Sequence, residues 1–173
     1  MRFATAAPGH GFGAQRTVET VGASGAGRYV SGPGVRLIPD ANGRTLLAWT
    51  GFDGSHFVVR ATEVVGGHLG TPQTLSPAGE DAVLGDAATG ANGAAIVAWR
   101  SGVQGADPVP GATETVFASH RDAGATAFGA PEQISAAGEN VATAPFAALD
   151  PVSGRSFVVY APLSGGVKAS ARP

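Results

Sequence analysis

An all-β architecture of repeated four-stranded antiparallel sheets is the fold class that this sequence predicts, and three observations predict it. The 27 glycines and 12 prolines among 173 residues exceed what long helices tolerate, while 43% hydrophobic residues suffice for a packed core. No window sustains apolar residues at helical spacing, and Gly or Pro recurs every few positions. The chain also repeats itself, and repetition has to be read before secondary structure.

Three aligned series define the repeat. One is "FGAQRTVE" from Phe12, "LGTPQTLS" from Leu69 and "FGAPEQIS" from Phe128. Another is "ANGRTLLAW" ending at Trp49, "ANGAAIVAW" ending at Trp99 and "VSGRSFVVY" ending at Tyr160. In the third, "MRFATAAP", "VVRATEVV", "TVFASHRD" and "GVKASARP", the alanines Ala4, Ala61, Ala118 and Ala169 coincide. The unit is roughly 50 to 60 residues long, the range of propellers and other arrays.

Each unit reads as four short strands. In the first full copy they are Val35 to Pro39, Arg44 to Trp49, Phe57 to Thr62 and Thr71 to Ser76. Asn42 and Gly43 of "DANG" suit the positive φ of a two-residue hairpin between the first two. "GANG" and "DPVSG" hold the corresponding turn later, and "GGHLG" and "AGATAFG" precede fourth strands. The expected organisation is a partial unit over 1–20, full units over 34–76 and 83–135, and a partial unit over 143–173. The stretch from Ser101 to Glu114 interrupts the middle unit as an insertion between its second and third strands.

A four-stranded meander cannot bury both faces alone, so copies must stack. Radial stacking makes them blades of a β-propeller, whereas immunoglobulin-like sandwiches need about seven strands per domain, too many for this period. The units resemble the β-propeller repeats of bacterial secreted proteins and are distantly similar to the sialidase-type propeller. "PDANGRTLLAW" and "LDPVSGRSFVVY" carry the likeness to the sialidase Asp-box, with Gly further from Asp than in that motif. The resemblance implies architecture only; the expected setting is secreted or cell-surface. The chain starts in the third strand of one unit and stops after the third strand of another. That overlap predicts a segment of a longer propeller, an incomplete ring of about three repeats, since rings close with about four to eight blades. Head-to-tail assembly of identical chains, a homo-oligomer, is the alternative.

Composition excludes several function classes. Charged residues are 14% and the formal charge of -2 has no basic cluster, which argues against nucleic acid as a partner. With no cysteine there are no disulfides, thiolate metal sites or cysteine nucleophiles. No apolar run approaches the ~20 residues of a membrane span, and "MRFATAAPGHGFG" lacks the apolar stretch of a signal peptide.

The candidate site residues read mostly as structure. Trp49, Trp99 and Tyr160 end apolar runs at equivalent positions, which favours packing between blades over sugar stacking. His10, His56, His68 and His120 lack the spacing of a metal motif, and no metal or cofactor is expected. Asp40 and Asp150 precede turns and suit hydrogen bonds from turn amides. Glu80, Asp81 and Asp86 form the densest acidic patch, but no pair stands out as glycosidase carboxylates. "GASGAG" from Gly22 is neither a nucleophile elbow nor a phosphate loop. Of Arg36, Arg44, Arg100 and Arg155, which a sialidase-like site would gather, Arg44 and Arg155 share one repeat position. No catalytic residue is assigned. The expected function is a non-catalytic extracellular binding or scaffold module recognising a glycan or a protein. The alternatives are part of a sialidase-like glycoside hydrolase, or a lectin-like propeller completed by homo-oligomerisation.

Overall fold

The computed structural model describes residues 1–19, 34–102, 113–141 and 143–172. The Gly-rich stretch from Gly22 and most of the insertion between Ser101 and Glu114 lie outside the described residues. Among those described, the fold is all-β, in four antiparallel sheets that close no ring, with one 3-10 turn at Ala91–Gly93 and no α-helix.

The first sheet pairs β1 (Arg2–Phe3) with β2 (Arg16–Thr17). The second is a meander of β3 (Val35–Pro39), β4 (Arg44–Phe52) and β5 (Phe57–Val65), whose outer edge carries β6 (His68–Leu69) and β7 (Gln73–Thr74). The third runs β8 (Ala82–Thr89), β9 (Ala95–Ser101), β10 (Thr115–Arg121) and β11 (Glu132–Gln133) in sequence order. The fourth holds β12 (Phe146–Leu149), β13 (Ser156–Tyr160) and β14 (Lys168–Arg172).

Register follows the repeat in the last three sheets. Ala48 pairs with Ala61, Ala98 with Ala118 and Val159 with Ala169. The fourth-strand motif breaks its ladder in a repeated way. Gly70 donates its N–H to Glu63 O and Gly129 donates to His120 O, after which Pro72 and Pro131 interrupt pairing because they have no N–H to give. The strand expected from Thr71 to Ser76 is therefore shortened to β7, and the preceding segment pairs separately as β6. The hairpin expected as two residues is longer: Asp40 N–H donates to Arg44 O across a three-residue loop, with Gly43 at φ +75°.

The first sheet departs from the alignment. Arg16 pairs with Phe3, whereas its equivalents Gln73 and Glu132 pair with Ala61 and Ala118, so Phe3 and not Ala4 takes the alanine position. A slip of one residue exchanges the two faces of a strand. Here it turns Phe3 onto the second sheet and keeps Arg2 out of that contact, which is the cheaper arrangement.

The sheets stack face to face in chain order. Phe3 and Val18 pack on Leu47, Trp49, Val64 and Leu69. Leu46, Ala48, Val59, Ala61 and Leu75 of the second sheet meet Leu84, Val97, Trp99 and Phe128 of the third. Ile96, Ala98, Val116 and Ala118 on the far side of the third sheet meet Leu149, Val158 and Tyr160 of the fourth. Strand β8 lies against β3, β4 and β5 on one side and β12 on the other. Gly85, at a bulge in β8, permits that approach, since a Cβ there would stand 2.6 Å from Pro145 O.

Candidate functional site

The aromatic series is buried. Trp49, Trp99 and Tyr160 lie within the sheet interfaces, and across their strands they face Arg60, Phe117 and Lys168. Each carries a polar atom that a buried setting obliges it to satisfy. Trp49 Nε1 donates to Glu19, which also receives Arg60 and the Phe52 N–H. Tyr160 Oη donates to Glu139, which also binds Lys168. Trp99 is held otherwise: it stacks on Phe117 at 6.2 Å and donates to Ser101 Oγ at 3.2 Å.

The carboxylates are dispersed into structural roles. Asp40 Oδ1 accepts the N–H groups of Asn42 and Arg44. Asp150 accepts Ser153 Oγ and the N–H groups of Val152 and Ser153; those bonds, that of the hydroxyl foremost, hold its carboxyl below the usual aspartate range. The acidic patch is no patch: Asp81 accepts the Phe57 N–H, Asp86 joins Arg36 at 2.8 Å and the Ala147 N–H at 3.2 Å, and Glu80 is exposed. Asp86 thus ties the second, third and fourth sheets together.

The arginines do not converge either. Arg36 pairs with Asp86, Arg44 with Glu63 and Arg100 with Glu114, while Arg155 is exposed. His10 and His68 are exposed and His56 is half-buried. Among the described residues no three His, Asp or Glu side chains are grouped so as to hold a metal ion.

A further motif emerges only in three dimensions. "SPAGED" from Ser76 and "SAAGEN" from Ser135 follow the fourth strands of two successive sheets. Ser76 and Ser135 accept the N–H groups of Val59 and Val116, and Asp81 and Asn140 accept those of Phe57 and Glu114. Each pair satisfies two N–H groups of a third strand where the short fourth strand has ended. The Ser-x-Ala-Gly-Glu-Asx spacing was visible in the sequence, and Glu139 of the second copy is the residue that anchors Tyr160.

An opening lies between the third and fourth sheets, a cleft of about 170 Å³. Its floor is Ile96, Ala118, Ile134 and Val158, and Ser156 and Ser170 add small hydroxyls. Arg172 reaches across to Glu132 at 2.7 Å along one side. His120 lines the cleft from β10. Its Nδ1 lies 3.0 Å from Asp122, and since a carboxylate only accepts, that nitrogen carries the proton. Its Nε2 is buried without a partner among the described residues, so neither serine is hydrogen-bonded to it. A nucleophile needs a base within hydrogen-bond reach. The arrangement therefore suits holding a group that is largely apolar with a polar edge.

Comparison with protein-family models, with curated proteins and with solved structures gives no match. Among the described residues no helix is long and apolar enough to cross a membrane.

Proposed function

We propose that this chain is a non-catalytic binding or scaffold module of an extracellular or cell-surface protein, its stacked sheets being blades of a β-propeller that recognises a glycan or a protein. The cleft between the third and fourth sheets carries the reading. It combines an apolar floor with hydroxyls and one unpartnered histidine nitrogen, and it lacks an aligned nucleophile and base. The repeated stacking of meanders supports the propeller, because each sheet offers an apolar face to the next. Asp86 with Arg36, Glu63 with Arg121 and Glu139 with Tyr160 form links between parts of the frame, which suits a rigid scaffold.

The test combines capture with turnover. The labelled chain is applied to a glycan array and to immobilised extracellular proteins, and in parallel to fluorogenic glycosides. Retention without turnover is the expected result. Hydrolysis that disappears in His120→Ala would replace this reading with the glycoside hydrolase one.

A further inference from the structure

The residue that fills the equivalent of the cleft elsewhere in the molecule says what belongs in it. Between the second and third sheets that place is taken by Phe128, which opens "FGAPEQIS". Gln73 grips its backbone, donating to Phe128 O and accepting from Phe128 N, both at 2.9 Å, and Arg121 lies 5.1 Å over its ring. Leu69, which opens "LGTPQTLS", fills the corresponding place between the first and second sheets.

The cleft has the same walls. Glu132 pairs with Ala118 as Gln73 pairs with Ala61, and Arg172 pairs with Ser156 as Arg121 pairs with Ala95. Among the described residues no segment enters it, and the outer edge of β14 bears no strand. The third member of the series is Phe12, which opens "FGAQRTVE" and is 80% exposed. Among the described residues Phe12 is thus a plug without a socket, and the cleft a socket without a plug.

Two further observations point the same way. The face of the fourth sheet turned away from the third is apolar, formed by Phe146, Phe157, Val159 and Ala169, with Phe146 64% and Phe157 38% exposed. Its equivalents in the second and third sheets, such as Leu46 and Ile96, are covered by the next sheet. In addition, among the described residues the only strand partner of β2 is β1, through two residue pairs in the slipped register, and so short a pairing is marginal by itself.

We propose that two copies of this chain associate by exchanging these strands: β2 of one copy leaves β1 and becomes the fourth strand of the other copy's β12–β13–β14 sheet, seating Phe12 in the cleft. The partner is thus a second copy, recognised at the site read above as a binding cleft, and the inference rests on that reading. Glu132 then accepts the Phe12 N–H in place of Gln73, and Arg172 covers the ring as Arg121 covers Phe128. Val18 and Glu19 keep their contacts with their own second sheet, so the exchange gives up only β1. Phe157 and Val159 are covered against that second sheet. After the exchange each copy holds its second and third sheets and a fourth sheet completed by the other copy's β2, and the six sheets of two copies fall within the range of about four to eight blades that close a ring. Reciprocal exchange gives a closed two-fold pair with no unmatched plug or socket left to propagate.

Size-exclusion chromatography with light scattering tests this on the whole chain. The expected mass is twice the 17.1 kDa of one chain at micromolar concentration. Phe12→Ser should raise the dissociation constant of the pair about thirtyfold or more, the loss typical of a central buried aromatic. Phe12→Leu should retain it, since leucine does this work at position 69. Phe12 is exposed in the single chain, so Phe12→Ser should melt as the wild-type chain does at dilutions where both are monomeric. Val152→Ser, at another exposed apolar residue, should leave the mass unchanged. A chain that stays monomeric to about 100 µM, a pair indifferent to Phe12→Ser, or a mass climbing past two chains would each overturn the proposal. A monomer that still captures a glycan or protein would remove this inference and leave the proposed function standing.

Discussion

Trp49 and Trp99 lie in the second strands of adjacent sheets, occupy one repeat position and are both buried, yet opposite chemistry holds them. Trp99 faces Phe117 across its strand pair, stacks on it, and finds a hydroxyl for its indole N–H two residues away. Trp49 faces Arg60, and the carboxylate that satisfies both comes from Glu19, beyond β2. Tyr160 repeats the second solution with Lys168 and Glu139. The residue across the strand decides the case. An apolar neighbour lets the interface close dry, whereas the partly buried Arg60 demands an acid from outside the sheet, because a buried unpaired charge is costly. Lys168 is exposed, and there the buried Tyr160 hydroxyl is what needs Glu139.

The largest effect should come from breaking the dry interface. Trp99→Ala is expected to destabilise the fold by ~3 to 5 kcal/mol, the range for truncating a buried aromatic, measured by chemical denaturation. A stable variant with altered ligand binding would return the aromatic series to a recognition role. Next comes the polar latch. Glu19→Gln leaves Arg60 without its acid, and with the pair partly screened by solvent the loss should be about 1 to 3 kcal/mol. Trp49 emission should report it, and an unchanged spectrum with unchanged stability would show that the latch is decorative.

The smallest effect is a dependence on pH, and it sharpens the contrast because only the latched type of aromatic carries it. The bond from Lys168 foremost, then those from Tyr160 Oη and the Ala136 N–H, hold the Glu139 carboxyl below its ordinary value. The stability this lends is present above the ordinary glutamate range, about 4.3, and is lost as pH falls through the lowered value. Burial, with help from Glu139, raises the Tyr160 hydroxyl. That contribution is complete below the ordinary tyrosine value of about 10 and is lost as pH climbs through the raised one. Glu139→Gln should flatten the acid limb of a stability–pH curve; an identical limb in the variant would show that Glu139 adds nothing to acid sensitivity.

Much of the frame was legible in the residues. The strands were read from short apolar runs, the turns from Gly-bearing segments, and the register of the last three sheets from the alignment of Ala61, Ala118 and Ala169. The same alignment failed for Ala4, where the apolar surface of a different sheet chose Phe3. The acidic patch around Asp81 and Asp86 also misled, because adjacency in the chain says nothing about which backbone N–H groups lie exposed nearby. The cleft had no signature at all, being a gap between two sheets brought together from positions 96 to 172.

By itself the sequence determined which segments become strands, which way their side chains alternate, and that copies of one unit must cover one another, since these depend on neighbours a few residues apart. Tertiary structure alone decided which acid meets which cation, which register the first strand adopts, and where a socket is left open. Those outcomes turn on surfaces contributed by different sheets, and no local pattern encodes the distance between them.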